Sequence, residues 1–253
     1  MIRLVRAEWT KLFSTRVWLG LVLGSCLLVG VSSAFFVGFA GTQQNGQSVP
    51  PVGDPQFEQA AFSQATAASV LFLILGIIGM TQEYRHRTAT PTFLTEPRRW
   101  RVVAAKLAAY LLVAAPFAVL VLAVNVLVVE IYAGARGSAP SLTGDNLRVV
   151  LNSGLVLMIY AFIGVGVGAL IKNQVGAIVG ALVYLFVVET IVVSFGALQG
   201  AYKWLPGGAV RAITSNLQAP ELLQPWQGGL LLLGYGLLAA VLGTLLAVRR
   251  DVV

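Results

Sequence analysis

Six apolar blocks follow one another along the chain, at about 17–39, 62–81, 102–129, 147–171, 175–198 and 228–248, each cut off by polar or charged residues. A helix needs about 20 apolar residues to cross the hydrocarbon core of a bilayer, so every block is long enough. None alternates with the period of a half-buried strand. The pattern predicts an all-α integral membrane protein with six transmembrane helices. Ahead of the first block, residues 2–16 put Ile2, Val5, Trp9, Leu12 and Phe13 on one helical arc and Arg3, Arg6, Thr10, Lys11 and Ser14 on the other. Such an amphipathic helix lies in the membrane interface. It suits two roles, a basic anchor or an elbow that helps to receive a partner.

The segments between the blocks differ in kind. Residues 41–59 are rich in Gln, Asn, Gly and Pro and contain no Lys or Arg, which predicts an irregular outer loop. Residues 132–142 form a short outer loop, and Lys172-Asn173-Gln174 a tight turn. Pro116 lies inside the third block, where it is expected to bend the helix. Residues 199–227 are interrupted by Trp204-Leu205-Pro206-Gly207-Gly208 and by Pro225-Trp226. That leaves room for one or two short helices at the outer interface. The chain therefore divides into an interface helix at 1–16, a six-span domain at 17–248 and a tail at 249–253. The basic start and first block have the outline of a signal peptide, and Leu23-Gly24-Ser25-Cys26 imitates a lipoprotein box. The block is too long for a signal peptide and stays apolar past the cysteine, so it reads as an uncleaved span.

Composition agrees, with 57% hydrophobic and 11% charged residues, a balance that excludes an ordinary soluble domain. The net charge of +7 does not point to nucleic acid, because the basic residues sit at the ends of apolar blocks and do not line one face. They act as orientation signals. Thirteen of the 17 Lys and Arg fall on the side that holds both termini, which predicts a multi-pass plasma-membrane protein with both ends in the cytoplasm. Cys26 is the single cysteine, so no disulfide within the chain and no cysteine metal cluster is expected.

Reactive groups are sparse. One histidine, His86, stands at the edge of the second block, too few for an intramembrane serine protease or metalloprotease. No Gly-x-x-x-x-Gly-Lys-Ser/Thr run occurs, so no phosphate-cradling loop is present. No catalytic residue and no metal site is assigned, and the chain is not expected to be an enzyme by itself. Glu189 in the fifth block and Asn125 in the third are the candidates for a translocation path. A charge at the bilayer centre costs about 2.5–3.5 kcal/mol on insertion scales, so Glu189 must face protein or water. It serves either a path or a hydrogen bond between helices, and Asn125 suits helix-to-helix bonding. Glycines four apart, at 20 and 24, 164 and 168, and 176 and 180, allow backbones to approach closely.

The most polar stretch between blocks runs from Glu83 to Lys106, and Arg85, Arg87, Arg98, Arg99, Arg101 and Lys106 give it six of the 17 basic residues. Pro91 and Pro97 divide it into a charged helix end, a short helix with Thr90 as N-cap and Pro91 at its first position, and a new helix that opens near Pro97. Glu83, Tyr84, Arg85 and Thr88, then Leu94, Pro97, Arg98 or Arg99, Arg101 and Lys106, resemble the E-Y-R … T … L … P … R … K run of ABC-2 type transporter permeases. Glu8, Trp9, Thr10, Lys11 and Leu12 resemble the same family's E-W-x-K-L start. The six-block layout extends the resemblance over essentially the whole chain. Arg87 departs from it, since the family often has Gly before the Thr, and this bears on the local turn.

The resemblance implies the transmembrane permease subunit of a split ABC exporter. Its coupling helix docks on a separate ATPase that carries ATP and Mg, two ATPase copies per complex, with no cofactor on this chain. A second permease subunit, the same or related, completes a dimer, and the cargo is a hydrophobic or amphipathic drug, lipid or peptide. Glu83, Tyr84, Arg85, Thr88, Pro91, Phe93, Leu94 and Pro97 are then the ATPase-coupling residues. Trp9, Lys11, Arg98, Arg99, Arg101 and Lys106 anchor the inner interface, with Arg98, Arg99 and Arg101 at the lipid headgroups. Gly20, Gly24, Gly176 and Gly180 form a dimer face or pack within one subunit, and a re-entrant element precedes the last span. Two other functions compete: an ion-coupled secondary carrier with Glu189 as its proton site, and a non-transporting immunity or sensing partner.

Overall fold

Among the described residues, six helices are long and apolar enough to cross a membrane: Val17–Gly38, Pro55–Arg85, Trp100–Ala135, Gly144–Leu170, Gln174–Ser194 and Pro225–Leu245. The computed structural model describes residues 1–44, 47–86, 98–195, 199–214 and 222–250. The protein is an all-α, multi-pass membrane protein. Its elements are α1 (Ile2–Ser14), α2 (Val17–Gly38), α3 (Pro55–Ser63), α4 (Ser69–Arg85), α5 (Arg99–Ala135), α6 (Gly144–Leu170), α7 (Gln174–Val183), α8 (Glu189–Ser194), α9 (Gln199–Tyr202), α10 (Pro206–Thr214) and α11 (Pro225–Arg250). A two-residue hairpin, Gln43–Gln44 against Gln47–Ser48, stands in the loop after α2.

The outer loop expected over residues 41–59 is therefore partly ordered. Asp54 and Pro55 start α3, because the Asp54 carboxylate accepts from Gln56 N–H at 2.7 Å and proline's fixed φ suits the first helical position. A 3₁₀ turn at Gln64–Ala68 joins α3 to α4, so the second span begins well before residue 62. Pro116 does not end α5, which runs through it for 37 residues, about 55 Å at the helical rise. The fifth span is broken by a π-helical turn at Tyr184–Val188, between α7 and α8.

Span four is the centre of the bundle: 67% of its apolar window is buried, against 11% for span five. Glycines explain how closely the neighbours approach it. A Cβ on Gly164 would collide with the Leu73 carbonyl and one on Gly76 with the Ala161 carbonyl, where α4 crosses α6. Gly166, Gly236 and Gly243 do the same where α11 crosses it. Away from the termini, a second apolar cluster of Val37, Phe57, Phe62, Val129 and Val149 closes the bundle. There the Arg136 guanidinium donates to the Val37 and Gly38 carbonyls at 2.5 and 2.9 Å and caps the C-terminus of α2.

Candidate functional site

The apolar arc of α1 seats on the bundle through Leu12, which is buried, and Phe13, whose ring lies 5.0 Å from Trp18 and 6.4 Å from Phe117. This seating carries Glu8 and Lys11 inward. Lys11 Nζ donates to Glu8 Oε1 at 2.7 Å and to Glu83 Oε1, in the last turn of α4, at 2.5 Å. From α5, Lys106 Nζ donates to Glu8 Oε2 at 2.5 Å and to the Gly79 carbonyl at 3.2 Å, and stands 3.3 Å from Glu83 Oε1. Two carboxylates and two ammoniums thus balance in a cluster where Lys106 is 0% exposed, Glu83 3% and Glu8 4%. Charges so far from water persist only when paired and hydrogen-bonded. Burial by itself would lower the pKa of Lys11, but the hydrogen bonds and charges of Glu8 and Glu83 outweigh it and hold the ammonium above the usual lysine value.

Gly79 is what allows this approach. A Cβ there would overlap the Tyr110 ring, which packs beside the cluster with its buried hydroxyl bonded to none of the described residues.

Several expected coupling and anchor residues surround the cluster. Tyr84 is half-buried, with Lys172 Nζ 5.7 Å above its ring, and Arg85 Nη1 donates to Gln174 Oε1 at 3.5 Å. The turn between spans four and five therefore leans on the end of α4. Trp9 and Arg98 are exposed, and the Arg101 guanidinium stacks 5.7 Å over the exposed Trp100 ring, all compatible with a headgroup region. Lys106 is sealed inside the bundle against Glu8 and Glu83, and Lys11 is half-buried in its ion pairs. The expected coupling helix, with Thr88, Pro91, Phe93, Leu94 and Pro97, lies outside the described residues, as does the Arg99 side chain.

A second constellation centres on Glu189, which is 8% exposed at the start of α8. Both carboxylate oxygens lie 3.1 Å from the Gly207 N–H, in the first turn of α10, where the helix dipole favours negative charge. A Cβ on Gly207 would run into Glu189 Oε2, and one on Gly208 into the Tyr202 carbonyl. The Pro-Gly-Gly run thus has a steric reason. Pro206, just before Gly207, lines a cavity of about 390 Å³ together with Leu73, Tyr160, Gly180, Tyr184 and Tyr235. Burial first, and then the Glu189 charge, raise the pKa of the Tyr202 phenol, with Arg211 opposing them.

A family model described as a protein of unknown function, DUF2705, matches residues 25–206. The chain belongs to the DUF2705 family. No curated protein matches it.

The stretch shared with DUF2705 holds Glu83, Lys106 and Glu189, ends one residue before Gly207, and leaves out Glu8 and Lys11 on one side and α11 on the other. Within this DUF2705 chain the two candidate path residues have different surroundings. Asn125 is fully buried, and its Nδ2 donates to Ser33 Oγ at 2.8 Å and to the Ala61 carbonyl at 3.2 Å. It ties α2, α3 and α5 together and lines no cavity described here, whereas Glu189 stands beside one. Of the glycines assigned to a dimer face, a Cβ added at Gly20 or Gly180 would meet none of the described residues within 4 Å, one at Gly24 would lie 3.6 Å from Leu71 Cδ1, and one at Gly176 would meet only the nearby Asn173.

Sequence reasoning had no role for Glu8 beyond its place in the N-terminal motif, nor any for Gly79 and Gly207. Glu8 and Lys11 are three apart on one helix, a spacing that signals a pair but not its partners in α4 and α5.

Proposed function

We propose that this chain is the membrane-spanning permease subunit of an ATP-driven exporter whose ATPase is a separate polypeptide. One observation carries the reading. Glu8 and Lys11 come from one run that resembles ABC-2 type permeases and Glu83 and Lys106 from another, and the four side chains meet in one buried cluster. The helices α4 and α5 flank residues 87–97, and the cluster locks both to α1. A push on that segment would reach three helices at once rather than bending one.

On this reading Glu83, Tyr84, Arg85, Thr88, Pro91, Phe93, Leu94 and Pro97 transmit ATPase closure to the spans. The bias of Lys and Arg toward the end with both termini sets that end in the cytoplasm of a plasma-membrane protein. Two permeases, alike or related, work with two ATPases, which hold ATP and Mg. The cargo is hydrophobic or amphipathic.

The test is co-expression with the ABC ATPase of a neighbouring reading frame, with a photo-cross-linking residue in place of Phe93. The expected result is co-purification, a cross-link to the ATPase that closes with nucleotide, and faster ATP hydrolysis in the complex. A chain that purifies alone, with no cross-link to any ATPase, rejects the proposal. Glu189 beside a broken span and a cavity favours a second reading, an ion-coupled carrier; uptake driven by a proton gradient without ATP would decide for it.

A further inference from the structure

Among the described residues Glu189 has no cationic partner. Its acceptors receive the Gly207 N–H, and among the described residues it forms no ion pair. A carboxylate so buried in a membrane span is costly unless it takes up a proton or a positive charge comes to it, and the end of a helix dipole supplies only a partial one. The space next to it suits a ligand. The cavity of about 390 Å³ falls in the range that holds small molecules. Its wall is built from aliphatic side chains and from Tyr160, Tyr184 and Tyr235, on spans four, five and six. Glu189 stands just outside that wall. It follows the π-helical turn that begins with Tyr184 and bonds to the residue after Pro206.

The chemistry narrows the ligand. An anion is repelled by the carboxylate. A hard metal cation needs a cage of oxygens, and no metal-holding group of His, Cys, Asp or Glu occurs among the described residues. An organic cation with an apolar body satisfies both halves, since tyrosine faces attract diffuse positive charge and the aliphatic wall takes the body. We propose that this cavity binds a lipophilic organic cation, with the charged centre toward Glu189 and the body among the Tyr160, Tyr184 and Tyr235 rings. The site goes beyond the permease reading and stands whether or not an ATPase drives the chain.

The probe is radiolabelled tetraphenylphosphonium, added to the purified full chain in nanodiscs of zwitterionic lipid. Saturable binding, one per chain, is expected above the level of empty nanodiscs, with no competition from tetraphenylborate, which has the same shape and the opposite charge. Glu189→Gln is expected to weaken binding by about tenfold or more. Gly180→Leu, which fills the cavity from a position with nothing within 4 Å, is expected to weaken it comparably while leaving the carboxylate in place. Binding that does not saturate, equal binding of phosphonium and borate, or wild-type affinity in either folded variant overturns the site. Should Glu189→Gln fail to elute as a folded species, the result for Gly180→Leu decides alone.

Discussion

Lys106 Nζ lies 2.5 Å from Glu8 Oε2, a partner 98 residues away along the chain. Lys106 is 0% exposed, so its removal takes a buried cation away from both Glu8 and Glu83. Removing one partner of a buried ion pair costs about 3–5 kcal/mol. Lys106→Met is expected to lower the unfolding free energy of the purified protein by that order, read from the shift of its denaturation midpoint. The double variant with Glu8→Gln should lose less than the two single losses added together, since the pair shares one interaction. Strict additivity in that cycle would mean that the two residues do not interact.

The same cluster sets a pH dependence on its half-exposed side. Glu8 and Glu83 outweigh burial and raise the Lys11 pKa above the ordinary value of 10.5. A group whose folded pKa is raised contributes stability that is fully present below the unfolded pKa and is lost as pH climbs through the folded one. Docking of α1 is therefore expected to be flat through neutral pH and to loosen only above about pH 10.5. A fluorophore on a Ser14→Cys, Cys26→Ser chain would report this as a gain in mobility. Lys11→Met should be loose already at neutral pH and show no alkaline step. An unchanged alkaline step in that variant would place the titration elsewhere.

Asn125 offers a test of bonding against transport. Its amide holds Ser33 and the Ala61 carbonyl, while its own Oδ1 is buried with no partner among the described residues. Polar contacts between membrane helices are worth about 0.6–2 kcal/mol. Asn125→Leu is expected to lower stability by that amount, read as an unfolding midpoint in detergent, and to leave cation binding at Glu189 intact. Loss of that binding in a stable Asn125→Leu protein would argue that Asn125 belongs to a path after all.

The spans were legible because a bilayer demands long apolar runs, and 147–171 against Gly144–Leu170 shows how closely that demand sets an end. The start of α3 was hidden by its polarity: Gln56, Glu58 and Gln59 look like loop, although Asp54-Pro55 was a readable cap. Glu83 and Lys106 drew notice as members of a basic segment, but a pattern gives the face of a helix and not what that face meets. Hence Lys106 read only as an anchor of the inner interface, while its burial against Glu8 of α1 and Glu83 of α4 was not legible. Glu189 was conspicuous as a charge in an apolar block, yet its Gly207 partner depends on how residues 199–214 fold back.

Glycines make the last case, because one spacing served two different ends. Gly164-x-x-x-Gly168 and Gly20-x-x-x-Gly24 are the same motif, and only burial separates them. At Gly164 a methyl group would meet the Leu73 carbonyl and the Gly76 backbone, whereas at Gly20 it meets nothing within 4 Å. Backbone cannot rotate out of the way as a side chain can, so Gly164→Ala must push α4 off α6. The expected loss is several kcal/mol, in the range of overpacked cores at about 1–3 or more, with poor yield of folded protein. Gly20→Ala should leave a single chain as stable as before. Its effect, if any, would fall on the association of two chains, read by the mass of the particle in nanodiscs. Equal damage from both substitutions within the monomer would refute the packing described for spans two and four.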